Sequence, residues 1–166
     1  MTSSKSDLEV AILMGSDSDL DTMKACQEVL KEFGVLSELR ILSAHRTPEA
    51  LASYMKEAEG RGLKVYVAAA GMAAHLAGAV SSKTVKPVIG VPLDASPLGG
   101  LDSLLSTVQM PAGIPVATVA IGKAGAKNAA FLALQILAVG NPSLARKLEE
   151  QRRKNAEKLL AKNETL

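Results

Sequence analysis

The stretch "VAILMGSDSDL", residues 10–20, decides the fold. An uninterrupted apolar run ends in a glycine. Serines and acids then open a pattern in which Met23, Cys26, Leu30 and Phe33 recur close to a helical period. A short apolar run of this kind sits inside a sheet, and a helix directly after it is the start of a βαβ unit. The same alternation continues along the chain. Strands are expected at 10–15, 36–42, 64–70, 87–92 and 115–122, with helices near 19–33, 47–60, 72–84 and 100–109. Five parallel strands with right-handed crossovers take the order 2-1-3-4-5. The fold class is therefore α/β, a flavodoxin-like three-layer sandwich, with ligands expected at the carboxyl ends of the strands beside the switch between strands 1 and 3.

The rest of the chain fits this frame. At 166 residues it has the length of one domain and can bury about two-thirds of its unfolded surface. It is 48% apolar but only 2% aromatic, so the core is aliphatic and alanine-rich. The segment 124–139 holds Lys127, Asn128 and Gln135 as its only strongly polar residues and is expected to be a helix buried on all sides. After it, Asn141 and Pro142 stand as N-cap and first residue of a charged helix to about 162, carrying Leu144, Leu148, Leu159 and Leu160. One domain over 1–166 is expected, comprising a disordered 1–8, an α/β core over 9–140, and a helix over 141–166 whose leucines dock either within the chain or on a neighbouring subunit. Net charge is +2 and no basic cluster is interleaved with aromatics, which argues against a nucleic-acid face. The single cysteine, the polar N-terminal stretch and the lack of a long apolar run point to a cytoplasmic protein and away from a membrane.

Chemistry-bearing residues collect at the expected ligand edge. "GSDSD" (15–19) offers Ser16, Ser18 and free backbone N–H groups at a helix start, which suits an anion. Ser16 with Asp19, or Ser18 with Asp21, equally fits a capping box. No dinucleotide or triphosphate loop occurs, so a single phosphate is the better fit. "SAHRTP" (43–48) follows strand 2 and brings Ser43 and Arg46 beside those serines, where a guanidinium can grip phosphate through two parallel bonds. Thr47 and Pro48 read as ordinary capping. His45, in that loop, and His75, in "AAAGMAAHLAG" (68–78), are the only histidines, and both fall at the edge flanking strand 1. Either is a candidate for acid–base work, while a surface role for His45 and a capping or packing role for His75 are the plainer readings. Asp19 would oppose a phosphate it touched, so it is assigned to ribose hydroxyls. The small residues of 68–78 either let backbone approach a flat ring or pack a helix tightly on the sheet. Two histidines without a carboxylate or thiol cluster do not make a zinc set, and Cys26 lies in mid-helix without a nucleophile elbow.

Together "GSDSD", "SAHRTP", "AAAGMAAHLAG", "PVIGVP" and "LDSLLSTVQMPAGIPVATVAIGKAGAKNAA" closely resemble the bacterial, class I N5-carboxyaminoimidazole ribonucleotide mutases of purine biosynthesis, from about residue 10 to 140. The resemblance implies an isomerase that moves a carboxyl group from the exocyclic nitrogen of an aminoimidazole ribonucleotide to ring carbon C4, by way of free CO2. It also implies that no metal, ATP or organic cofactor is needed. It casts His45 as the general acid/base and places phosphate at Ser16, Ser18, Ser43 and Arg46, ribose at Asp19, and CO2 along the wall from Ala70 and Gly71 to His75, with Ala44 and Leu76 also binding substrate. It further implies a homo-octamer whose C-terminal helices reach other subunits. The family's commoner loop, "AGAGGAAHLPG", differs at Ala69, Met72 and Ala77. The rival readings are an animal-type carboxylase taking CO2 directly, a nucleotide-binding module without activity, and a phosphoacceptor domain with Lys123 after strand 5. The last would need an aspartate at the end of strand 3, where this chain has "VAAAG".

Overall fold

A computed structural model of the chain describes residues 8–165. Five parallel strands form one sheet in the order β2-β1-β3-β4-β5: β1 (Val10–Met14), β2 (Ser37–Ile41), β3 (Val65–Gly71), β4 (Val88–Leu93) and β5 (Ala117–Thr118). β1 is an interior strand, and its whole length is apolar. It pairs with β2 from Val10 opposite Ser37 and with β3 from Val10 opposite Val65, and none of its residues reaches water. Side-chain alternation splits it between two layers. Ala11 and Leu13 join Leu51 and Met55 of α2 (Pro48–Gly60), Leu76 and Val80 of α3 (Leu76–Ser81), and Tyr66 of β3 in one buried cluster. α1 (Leu20–Glu32) buries Met23, Cys26 and Leu30 of the stripe expected from its sequence, with Ala25 and Val29 beside them. Phe33, just past its end, meets Phe131 edge-on at 6.0 Å. α4 (Leu101–Val108) precedes β5, while α5 (Gly122–Ala138) and α6 (Pro142–Ala161) complete the helices.

The chain divides into two compact units, one ending at Ala133 and one beginning at Leu134. All five strands and α1 to α4 belong to the first. Of the stretch expected to be disordered, residues 1–7 lie outside the described residues, and Leu8 is 1% exposed within the core. No helix among the described residues is long and apolar enough to cross a membrane.

Three elements differ from their sequence reading, each for a local reason. α3 starts at Leu76 and not near 72, because Met72 (φ +56°) and Ala74 (φ +43°) take left-handed backbone that interrupts a helix. β5 keeps two residues of the expected eight-residue run. Pro115 has no N–H to give a ladder and its carbonyl accepts from Ser81 Oγ at 2.8 Å, while Gly122 at φ +69° turns the chain into α5. α5 is not buried on all sides. Ala126, Ala129, Ala130, Ala133 and Leu134 are buried, whereas Lys127, Asn128 and Gln135 make a wet face that the sequence reading did not draw. α6 begins as expected, with Asn141 Oδ1 accepting from Leu144 N at 3.1 Å.

An ion-pair cluster joins β2 to the end of α2. Glu38 accepts from Arg61 Nη1 at 2.6 Å and Nη2 at 2.9 Å, and from Tyr54 Oη at 3.2 Å. The Arg61 hydrogen bonds hold the Glu38 carboxyl down at about 2, against the opposing effect of its partial burial. A carboxyl depressed in the folded state stabilises above its unfolded value and loses that contribution as pH falls through its folded value. Stability is therefore expected to drop between pH 4.5 and about 2. Solvent screening limits the share of this pair to about 1 kcal/mol. Urea unfolding at pH 7, 4.5 and 3 checks this, and Glu38→Gln should flatten the acid limb of that series.

Candidate active site

The carboxyl ends of β1, β2 and β3 turn into three loops that surround one cavity of about 560 Å³. From β1 come Gly15, Ser16, Ser18 and Asp19. β2 leads to Ser43, Ala44, His45 and Arg46, and β3 to Ala70, Gly71, Met72, Ala73, Ala74, His75 and Leu76. Every residue proposed from sequence for catalysis or binding thus lines the same space. It lies at the switch between β1 and β3, as the topology predicts.

The β1 loop is a single 3-10 turn, Asp17–Asp19, ahead of α1. Ser16 caps it, its Oγ accepting from Ser18 N at 3.4 Å, so the capping reading holds in part. Asp19, 8% exposed, accepts from Ser18 Oγ at 3.2 Å. Burial pushes its carboxyl above the usual range, and the bonds from Ser18 and Ser16 pull the other way. Such a carboxylate, an acceptor at both oxygens, has capacity left for hydroxyl donors of a ligand.

The β2 loop is braced by its own hydroxyls. Ser43 Oγ accepts from His45 N at 3.3 Å and Arg46 N at 3.1 Å. Thr47 Oγ1 accepts from Ser43 N at 2.9 Å and donates to Ser43 O at 3.1 Å. Thr47 occupies the N-cap position of α2, but its side chain makes no cap bond because it is committed to Ser43. This bracing aims two side chains. Arg46 Nη2 donates to the Gly15 carbonyl at 2.5 Å, which stitches the β1 and β2 loops together and leaves further guanidinium N–H groups for an anion. His45 Nε2 lies 2.7 Å from His75 Nδ1, with the rings edge to face at 87°. One of the two nitrogens carries the proton and the other accepts it, so the pair can relay a proton at the cavity. His75 stands at the N-cap position of α3 without making a cap bond, which sets aside the capping reading.

The β3 loop is held from outside the cavity. A Cβ on Gly71 would lie 2.6 Å from Ala95 Cβ, Ala74 N donates to Gly71 O at 3.0 Å, and Ser106 Oγ on α4 donates to Ala73 O. Left-handed backbone at non-glycine residues costs about 1–3 kcal/mol each and persists only where the surroundings impose it. Ala95, after β4, also lines the cavity, although it lies outside the motifs that the sequence singles out. Its signal was the small residue opposite an obligatory Gly71.

Comparison with known proteins adds the family. The AIR carboxylase family model matches residues 9–158. The chain belongs to the AIR carboxylase family. Among its curated relatives, the N5-carboxyaminoimidazole ribonucleotide mutase of Pyrococcus horikoshii is 57% identical over 153 residues, covering 90% of this chain and 85% of that one. The enzyme of the same name from Bacillus subtilis is 51% identical over 157 residues, covering 95% and 97%. Among solved structures, Treponema denticola PurE superposes with a TM-score of 0.85 at 33% identity, covering 95% of this chain and 97% of that one.

Proposed function

We propose that the chain is an N5-carboxyaminoimidazole ribonucleotide mutase, an isomerase that works without metal, ATP or organic cofactor. The observation that carries the reading is the His45–His75 pair, which lines the same cavity as Ser16, Ser18, Ser43 and Arg46. The identity of more than half the residues with relatives bearing that name supports the same conclusion. Ser16, Ser18, Ser43 and Arg46 bind the phosphate and Asp19 the ribose. Ala44, Ala70, Gly71, His75 and Leu76 enclose the base and CO2.

The proton count makes a single imidazole sufficient. Breaking the bond between the exocyclic nitrogen and the carboxyl carbon releases CO2 and needs one proton on that nitrogen. Attack of C4 on CO2 forms the new C–C bond and releases one proton from C4 as the ring regains aromaticity. His45 gives the first and takes the second, ending as it began. Imidazole suits both directions at neutral pH. Small apolar walls keep water from the intermediate CO2.

Binding separates the two poles. Arg46→Ala should weaken any phosphate-bearing ligand. Asp19→Ala should matter only when ribose hydroxyls are present, and each loss is expected to be about 10- to 100-fold, as for hydrogen bonds to charged groups. Calorimetric titration with a ribonucleotide and its 2′,3′-dideoxy analogue reads the difference. Equal weakening of both by Asp19→Ala would remove the ribose assignment.

The same reading includes a cytoplasmic homo-octamer, with no nucleic-acid or membrane partner, in which the 9–140 core and the 141–166 tail form one domain and the tail reaches a neighbouring subunit. Supporting it, Leu101, Leu105 and Val108 on α4 and Leu159 and Leu160 on α6 are all about half exposed or more. Truncation after Gly140 removes the last two and is expected to reduce both assembly and turnover. Light scattering with a parallel assay checks this, and a soluble, fully active monomer would refute it.

A further inference from the structure

We propose that Met72 closes on the heterocycle of the bound ligand and so selects a ribonucleotide over a bare ribose phosphate. This rests on the reading of the cavity as a ribonucleotide site. Apart from the two histidines no aromatic side chain lines the cavity, and its walls are mostly glycine, alanine and serine. The large apolar side chains among its lining residues are Leu76 and Met72. Leu76 is 3% exposed and committed to the core cluster, whereas Met72 is 61% exposed. A flat heterocycle entering the cavity therefore has one large apolar side chain free to pack against it.

The backbone holds Met72 in that place at a cost. Its φ of +56° is a conformation that glycine adopts freely and methionine does not. The loop cannot relax, because Ala95 abuts Gly71, Ala74 is 4% exposed and bonded to Gly71, and Ser106 holds the Ala73 carbonyl. Strain retained at an exposed side chain that lines the cavity points to a ligand contact. An unbranched thioether fits such a contact, since sulfur packs favourably against an aromatic ring and the chain adapts to the ring's position.

The test compares wild type, Met72→Gly and Met72→Leu by calorimetric titration with 5-aminoimidazole ribonucleotide and with ribose 5-phosphate, and follows thermal unfolding of each variant. Met72→Gly should weaken the ribonucleotide by about 3- to 10-fold, leave ribose 5-phosphate unchanged, and melt no lower than wild type. Met72→Leu, which restores apolar bulk, should recover most of the lost affinity. Unchanged ribonucleotide affinity in Met72→Gly, or equal loss for both ligands, would overturn the proposal. Wild type that binds the ribonucleotide but does not rearrange the carbamate would defeat the mutase reading and leave this one standing. Wild type that binds ribose 5-phosphate no less tightly than the ribonucleotide would defeat this one.

Discussion

His45→Asn is expected to retain ligand binding and to lose turnover by at least about 10²- to 10⁴-fold, the usual contribution of a positioned proton donor and acceptor. Asparagine keeps a polar group near His75, 2.7 Å from the present imidazole nitrogen, but cannot take up and return a proton. The braces on the loop do not depend on the imidazole. Ser43 Oγ holds the backbone N–H groups of residues 45 and 46, so the variant should fold and bind as wild type does. Initial rates and an independent titration of ribonucleotide affinity separate the two effects. Near-normal turnover with unchanged binding would exclude His45 as the proton carrier and shift attention to His75.

Gly125→Ala should have the largest effect on the fold. A Cβ there would sit 1.6 Å from the Ala120 carbonyl oxygen and 2.6 Å from its carbon, which is backbone that no rotamer change can clear. Either α5 or the segment after β5 must move, and a loss of more than about 3 kcal/mol is expected. Gly60→Ala is the matched control, since nothing lies within 4 Å of the added carbon and the position ends α2. That change should be neutral or stabilise by up to about 1 kcal/mol. Thermal unfolding of both variants distinguishes them. Equal melting temperatures would mean that the α5 start is not packed as described.

The legible part of the fold was the part in which local pattern and tertiary environment agree. β1, β3 and β4 are apolar because they are covered on both faces, so composition and position coincide, and the strand order followed from the connections. The same topology brought "GSDSD", "SAHRTP" and the 68–78 loop to one cavity. What escaped was set by contacts distant in sequence. Ala73 and Ala74 are good helix formers, yet Ser106 and Ala95 hold their loop out of α3. Thr47 looks like a cap and instead braces Ser43. Placing both histidines at one edge was possible from sequence, but their direct hydrogen bond depends on the exact turn each loop makes. α5 departs from the expectation of burial on all sides because a narrow alanine stripe is enough to face the core and its polar residues gather opposite.

The most direct test is to supply N5-carboxyaminoimidazole ribonucleotide to the purified chain, without ATP and in the presence of a metal chelator, and to follow appearance of the C4 carboxylate. Rapid conversion with no net consumption of bicarbonate is the predicted result. Failure to rearrange the carbamate, or product formed only from the decarboxylated ribonucleotide plus added CO2, would contradict it.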